Sequence, residues 1–313
     1  MKKINLSLSS KIIIAFVLVL LPFFFLIEYT ASRILENQVV ENINGTLRVY
    51  TINDGKDLDK LFEGYVNLAK MTAEFVRNAL SEPLPSGAVN EFDRNYKFGK
   101  GAVRTDIAAS PDKDIPGVFI SSLTPLNDEI KKEVIASGRG FLPYAKAARN
   151  EVFNAYYISK NQFIRIYEKD WALEIDSAHD FMKDAFFYVA DPQHDPERKP
   201  AWISPYYDSI LKHWMISIIV PVYVNDRFMG IAGHDVILDR IYKDVLDKKI
   251  FKSGYSFIFD SNRDIIIHPL YLEQLRNTTL GTTLKEKGLA DVIAGAVKTN
   301  VSGGSYALYS FNE

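Results

Sequence analysis

Residues 197–241 read ERKPAWISPYYDSILKHWMISIIVPVYVNDRFMGIAGHDVILDRI, and this stretch decides the fold. An Arg and aromatic cluster comes first, in a Pro-punctuated segment that reads as a loop: Arg198, Pro200, Trp202, Pro205, Tyr206, Tyr207 and Asp208. Residues 214–224 follow, a run rich in Ile and Val and short for a helix. A turn at Asn225, Asp226 and Arg227 leads to a second apolar run at 228–232. Two such runs joined by a short polar loop predict an antiparallel hairpin. The second run ends at Gly233, His234 and Asp235, which brings a carboxylate beside the aromatic segment once the strands pair. A cation, acids and several aromatics around one hairpin predict a small-molecule pocket.

Bulk composition narrows what surrounds that pocket. A length of 313 residues suits about two domains. Hydrophobic residues at 47% and charged residues at 24% support a packed core and exclude a disordered chain. Lys and Arg number 37 against 39 acids, so no basic excess is available to neutralise phosphates and nucleic acid is not the expected partner. The chain has no Cys, which excludes disulfides, thiolate catalysis and Cys-type zinc sites. Its five His form no ligand-spaced pair, so no metal and no cofactor is expected. Phosphate-binding loops and nucleophile-elbow motifs are also missing.

The N-terminus sets the compartment. Residues 1–11 are basic, with Lys2, Lys3 and Lys11, and residues 12–27 carry no charge. With the flank to residue 31 this run approaches the ~20 residues of a membrane-spanning helix. The basic flank keeps the N-terminus cytoplasmic and puts everything beyond about residue 32 outside. A cleaved signal peptide is the competing reading, and Glu28 and Tyr29 make a poor cleavage site.

Residues 32–80 predict a long helix. Leu58, Leu61, Tyr65, Leu68, Thr72, Phe75 and Ala79 recur at helical spacing opposite a charged face. At 1.5 Å per residue such a helix would extend ~70 Å, longer than a globular helix needs and suited to a dimerising, signal-carrying spine. Residues 84–114 read as loop, 118–120 as a strand and 124–135 as a helix capped by Thr124 or Asn127. Residues 155–158 and 163–167 form a second hairpin signal, 171–182 a helix candidate and 186–190 a strand. Beyond Asp235 come a short amphipathic helix at 237–246 and a third hairpin at 255–259 and 265–268. A helix candidate at 290–297 and a strand at 302–310 follow. Strands interleaved with helices in two groups predict an α+β fold: two small modules on one long helix.

In this layout the chain resembles the double-Cache, tandem PAS-like, extracytoplasmic sensors of bacterial transmembrane receptors. Three motifs carry the resemblance: ERKPAWISPYYD at 197–208, SIIVPVYVNDRFMGIAGHDVILDRI at 217–241, and GYSFIFDSNRDIIIHP at 254–269. It implies a cytoplasmic N-terminus at 1–11, a transmembrane helix at 12–31 and a spine helix at 32–80. A membrane-distal PAS-like module would occupy 81–246, and an incomplete membrane-proximal one 247–313, each built on an antiparallel sheet. It implies a non-enzymatic receptor segment in the bacterial inner membrane with a periplasmic sensor, a homodimer through the spine. The expected output is a histidine kinase first, then a diguanylate cyclase or a chemotaxis transducer. Because no second span and no output module appear, the chain is expected to be part of a longer receptor, with a second span beyond its end.

The resemblance also implies a ligand set. Arg198 matches the family's carboxylate clamp, Trp202 its aromatic, and Asp235 the acid that takes an ammonium, with Tyr188 in the place of a preceding Tyr. Ile203 stands where the family pattern has a Tyr, and Tyr206, Tyr207 and Asp208 offer an aromatic wall and a second acid instead. The ligand is then an amino acid, an amine or a carboxylate, and the two acids with their aromatics suit an amine through cation–π contact. Each residue also has a plainer reading. Trp202 as core, Arg198 paired with Asp195 or Glu197, the tyrosines as loop packing, and Asp235 as a helix cap. Two other functions stand beside the sensor: a membrane-anchored periplasmic enzyme using Asp208 and Asp235, and a partner-binding module with no small ligand.

Overall fold

A computed structural model describes residues 7–84, 86–108, 115–246, 256–259, 265–268, 299–300 and 307–308. The apolar opening run becomes the first part of one helix, α1 (Leu8–Ser81), which accepts Pro22 within it. The chain divides into two units, one of Met1–Lys56 with Val292–Glu313 and one of Asp57–Asp291. In the first, the apolar side chains of α1 from Ile12 to Ile27 are exposed, and α1 holds an 18-residue window of mean hydropathy 2.7, long and apolar enough to cross a membrane by length and composition.

The second unit is built on an antiparallel sheet. Its strands in chain order are β1 (Tyr96–Gly99), β2 (Ala102–Thr105), β3 (Gly117–Ile120), β4 (Asn154–Ser159), β5 (Phe163–Ile166), β6 (Ala201–Asp208), β7 (His213–Val224) and β8 (Arg227–Ile237). They lie side by side as β1-β2-β3-β5-β4-β8-β7-β6. Helices α2 (Ala88–Asn95) and α3 (Asp128–Ala148), together with α1 from Asp57, pack on one face. The other face carries α4 (Lys169–Glu174), a 3-10 turn (Phe181–Lys183) and α5 (Ala185–Tyr188). With both faces covered, β4, β7 and β8 are buried on both sides, so they read as continuous apolar runs rather than alternating ones. Helix α6 (Leu238–Leu246) follows β8 directly, and β9 (Ile258–Phe259) pairs with β10 (Ile265–Ile267). Ile267 is buried in the same core as Leu238 and Ile241. In the first unit β11 (Thr299–Asn300) pairs with β12 (Ala307–Leu308).

The deciding hairpin is β7–β8. Its two-residue turn has Asn225 at φ 49° and Asp226 at φ 62°, the left-handed pair that a type I′ turn requires. The second expected hairpin is β4–β5, and Asn127 caps α3 by accepting from the Ile130 N–H at 2.9 Å. Against α1, α3 approaches so closely at Gly140 that an added Cβ would meet the Phe75 carbonyl.

Four expectations are corrected. Residues 197–208 are not all loop, because β6 begins at Ala201. Pro205 is tolerated there since β6 is an edge strand and carries an irregularity between Ile203 and Tyr206. Residues 84–114 contain α2, β1 and β2, elements so short that their periodicity is hidden. Residues 186–190 are not a strand but fall in and after α5, since a short apolar run does not distinguish the two. The helix expected at 171–182 stops at Glu174, where the Arg104 guanidinium takes the carbonyls of Ala172 and Ile175. The helix expected at 290–297 lies outside the described residues, and the 246–247 module boundary rests on residues also outside them.

Candidate functional site

Tyr206, Tyr207, Asp208 and Asp235 meet around a cavity of about 240 Å³. The floor comes from the sheet: Tyr156 and Ile158 of β4, Ile164 and Ile166 of β5, and Asp235 of β8. Trp171, Phe181, Asp184 and Phe186 close it from α4, the 3-10 turn and α5, and Tyr207 and Asp208 stand at the end of β6. Tyr156 fits because Gly233 lies opposite it in register, and a Cβ at Gly233 would collide with the Tyr156 ring.

Asp235 is the buried acid of the site, 4% exposed. It sits between Ser217 of β7 and Asn154 of β4 in register, and both side chains reach it. Ser217 Oγ donates to Oδ1 at 2.7 Å, Asn154 Nδ2 to Oδ2 at 3.2 Å, and the Tyr206 hydroxyl lies 3.4 Å from Oδ1. Burial pushes the Asp235 carboxyl up to about 7, although the Ser217 hydrogen bond opposes the rise. Burial likewise holds the Tyr206 phenol well above its ordinary value.

Asp208 has a different environment. Its Oδ1 accepts from the backbone N–H groups of Ile210 at 2.8 Å and Leu211 at 2.7 Å, which fixes the β6–β7 turn. Its Oδ2 accepts from Trp171 Nε1 at 3.2 Å. At the wall, His179 Nε2 lies 2.7 Å from Asp184 Oδ2. Three acids and six large aromatic side chains thus line the cavity, and no Lys or Arg is among the lining residues.

The structure places Arg198, Trp202 and Tyr188 elsewhere. Arg198 donates to Asp226 Oδ1 at 2.9 Å and lies 4.0 Å over the Tyr223 ring, tying its loop to the β7–β8 turn. Trp202 meets Phe62 of α1 edge-on at 5.2 Å. Tyr188 is 51% exposed and its ring lies tilted against that of His194. The separation of Trp202 from Tyr206 has a clear cause. In a regular strand residues four apart share a face, but the irregularity after Ile203 adds one residue. Ile203 and Tyr206 therefore both face the cavity-side core, and Trp202 faces α1. Tyr156, Trp171, Phe181, Phe186, His179 and Asp184 were not expected at the site. Tyr156 lay in the β4 run, Trp171, His179 and Phe181 in the helix expected at 171–182 and Phe186 in the strand expected at 186–190, but nothing in the sequence directed them to one cavity.

Residues 123–243 match the family model described as methyl-accepting chemotaxis protein-like, first PDC sensor domain. No curated protein matches the chain. Among solved structures, the chain is similar to the ligand-binding domain of the Pseudomonas aeruginosa amino acid chemoreceptor PctC in complex with GABA. That likeness has 12% identity, covers 83% of this chain and 84% of that one, and has a TM-score of 0.48. It is also similar to the sensory domain of the Campylobacter jejuni chemoreceptor Tlp3, at 13% identity over 84% of this chain and 82% of that one, TM-score 0.49. A third is the Pseudomonas fluorescens chemoreceptor CtaA domain in complex with L-serine, at 15% identity over 72% and 77%, TM-score 0.38. Residues 123–243 are thus similar to a PDC sensor domain, and the fold is α+β, with a long N-terminal helix and an antiparallel sheet. The matched domain is a sensor and not an enzyme.

Proposed function

We propose that this chain is the ligand-sensing part of a membrane-anchored bacterial chemotaxis receptor, and that its cavity takes a small protonated amine. The output follows the matched family, so a chemotaxis transducer stands ahead of the histidine kinase expected from the sequence. The sensing module lies on the periplasmic side of the inner membrane, anchored by the apolar part of α1, and the receptor is a homodimer through that helix. One observation carries the ligand class. Asp235 is buried at the floor of an aromatic cavity whose lining contains further acids and no cation. A ligand carboxylate would meet Asp235 and Asp208 without a compensating charge, whereas an ammonium would pair with Asp235 and lie against aromatic faces. Arg198, the expected carboxylate clamp, is engaged at the β7–β8 turn.

Calorimetric titration of the full chain in detergent with primary amines, amino acids and carboxylates tests this. Amines are expected to bind, and Asp235→Asn to weaken them at least tenfold while Arg198→Gln leaves them unchanged. Binding restricted to amino acids or carboxylates, and lost in Arg198→Gln, would replace the amine reading.

A further inference from the structure

The dipeptide His234-Asp235 straddles the sheet. Asp235 faces the cavity, and His234, its neighbour on β8, faces the side where α1 packs. His234 is fully buried, with Nε2 2.7 Å from Thr72 Oγ1 of α1. The Thr72 hydroxyl also reaches the Leu68 carbonyl at 3.3 Å. Thr has one proton, so both contacts are satisfied when Nε2–H donates to Oγ1 and Oγ1–H donates to Leu68. Nδ1 then carries a lone pair without a partner, which is cheaper to bury than an orphaned N–H. The ring is neutral, its pKa pushed down to about 3 by burial.

The surroundings of this pair are apolar: Ala69, Ala73 and Val76 of α1 belong to the main core. An apolar pair would pack there at lower desolvation cost, so the hydrogen bond adds register rather than stability. It ties one turn of α1 to one residue of β8. A Thr bonded to its own i−4 carbonyl also sets the local bend of a helix. The cavity strand β6 has its own α1 contact, Trp202 on Phe62. Between the two strands, Tyr206, Ser217 and Asp235 form one hydrogen-bonded chain beneath the cavity.

We propose that the His234–Thr72 hydrogen bond is the contact through which events at Asp235 reach α1. This rests on the reading of the cavity as a ligand site. A ligand that draws the Asp235 carboxylate from Ser217 moves that residue of β8. His234 shares a peptide unit with Asp235 and moves with it, and Thr72 follows or loses its bond to Leu68. α1 is also the helix that contains the apolar anchor segment.

The test is amide hydrogen exchange along residues 66–76 of α1 in the full chain in detergent, in two arms. In the first, without ligand, Asp235→Asn is made in three backgrounds: native, Thr72→Val and Thr72→Ser. The substitution is expected to change exchange at these amides about fivefold or more in the native and Thr72→Ser backgrounds, and not in Thr72→Val. An equal change in Thr72→Val overturns the proposal. His234→Leu breaks the same contact from the strand side and gives the same decision if Thr72→Val fails to fold. The second arm adds ethylamine, protonated at pH 7.5, with binding followed by calorimetry. Binding that leaves the exchange response unaltered in Thr72→Val overturns the transmission role. An absence of binding in the native chain removes the amine reading instead, while the first arm still decides the contact.

Discussion

At the scale of single residues, His234 and Asp235 make opposite demands on pH. Asp235 holds its proton up to about 7 in the fold, against 3.8 ordinarily. Between about pH 4 and 7 the folded state therefore keeps a proton that the unfolded chain has lost, and stability falls as pH rises, by up to about 1.4 kcal/mol per pH unit. His234 is depressed from 6.5 to about 3. Across that window the unfolded chain takes up a proton that the fold excludes, so stability falls as pH drops. The two slopes oppose each other where the windows overlap, from about pH 4 to 6.5, and the native chain is expected to be nearly flat in this pair's contribution. Urea melts at pH 4.5, 5.5 and 6.5 check it: Asp235→Asn should gain stability with rising pH relative to the native chain, and His234→Gln should lose it. Parallel profiles for all three would refute the opposition. Asp235 could be read from the sequence because it ends an apolar run beside an aromatic cluster. Arg198 and Trp202 could be read as residue types but not as directions. A single extra residue in β6 turned Trp202 to α1, and a positive φ of 58° directed Arg198 away from the cavity.

At the scale of elements, legibility followed length. The β7–β8 hairpin and α1 were plain because their apolar runs are long, and the short β4–β5 hairpin was plain because a polar turn separates its two runs. The cavity's cover was not, since α4, the 3-10 turn and α5 are each too short to show a period. What fixes this cover is a residue far from it in sequence. Arg104 of β2 lies 4.6 Å over the Phe119 ring and holds the α4 end through the Ala172 carbonyl at 2.5 Å and the Ile175 carbonyl at 2.6 Å. Those carbonyls belong to the last turn of a helix, where no intrahelical donor remains. Trp171 on α4 in turn donates to Asp208. Arg104→Met keeps the apolar stem and removes both bonds, so it should destabilise the second unit by about 2 kcal/mol. It should also raise solvent quenching of Trp171 fluorescence in a chain whose other tryptophans are replaced by Phe. A stability loss with unchanged Trp171 quenching would confine Arg104 to the core and release it from the cavity wall.

At the scale of the molecule, the sequence supplies both an expectation of which side of a membrane the cavity faces and the means to check it. The apolar side chains of α1 up to Ile27 are exposed, and on the proposed reading lipid buries them. Lys2, Lys3 and Lys11 lead one to expect the N-terminal side to be cytoplasmic, because loops rich in Lys and Arg stay on that side. The proposed reading therefore expects the cavity outside, where a small metabolite would reach it without crossing the inner membrane. Since the chain has no Cys, one introduced cysteine reports its own location without background. Lys199 is 73% exposed and its partner Glu197 is equally superficial, so Lys199→Cys costs little. Ser9 is exposed at the start of α1. Treated with a membrane-impermeant maleimide, spheroplasts carrying Lys199→Cys should label fully, and those carrying Ser9→Cys should label only after lysis. The reverse pattern would put the cavity in the cytoplasm. Labelling of Ser9→Cys in intact spheroplasts together with Lys199→Cys would mean that α1 does not span, and the exposed apolar face would then need a protein partner instead of a bilayer.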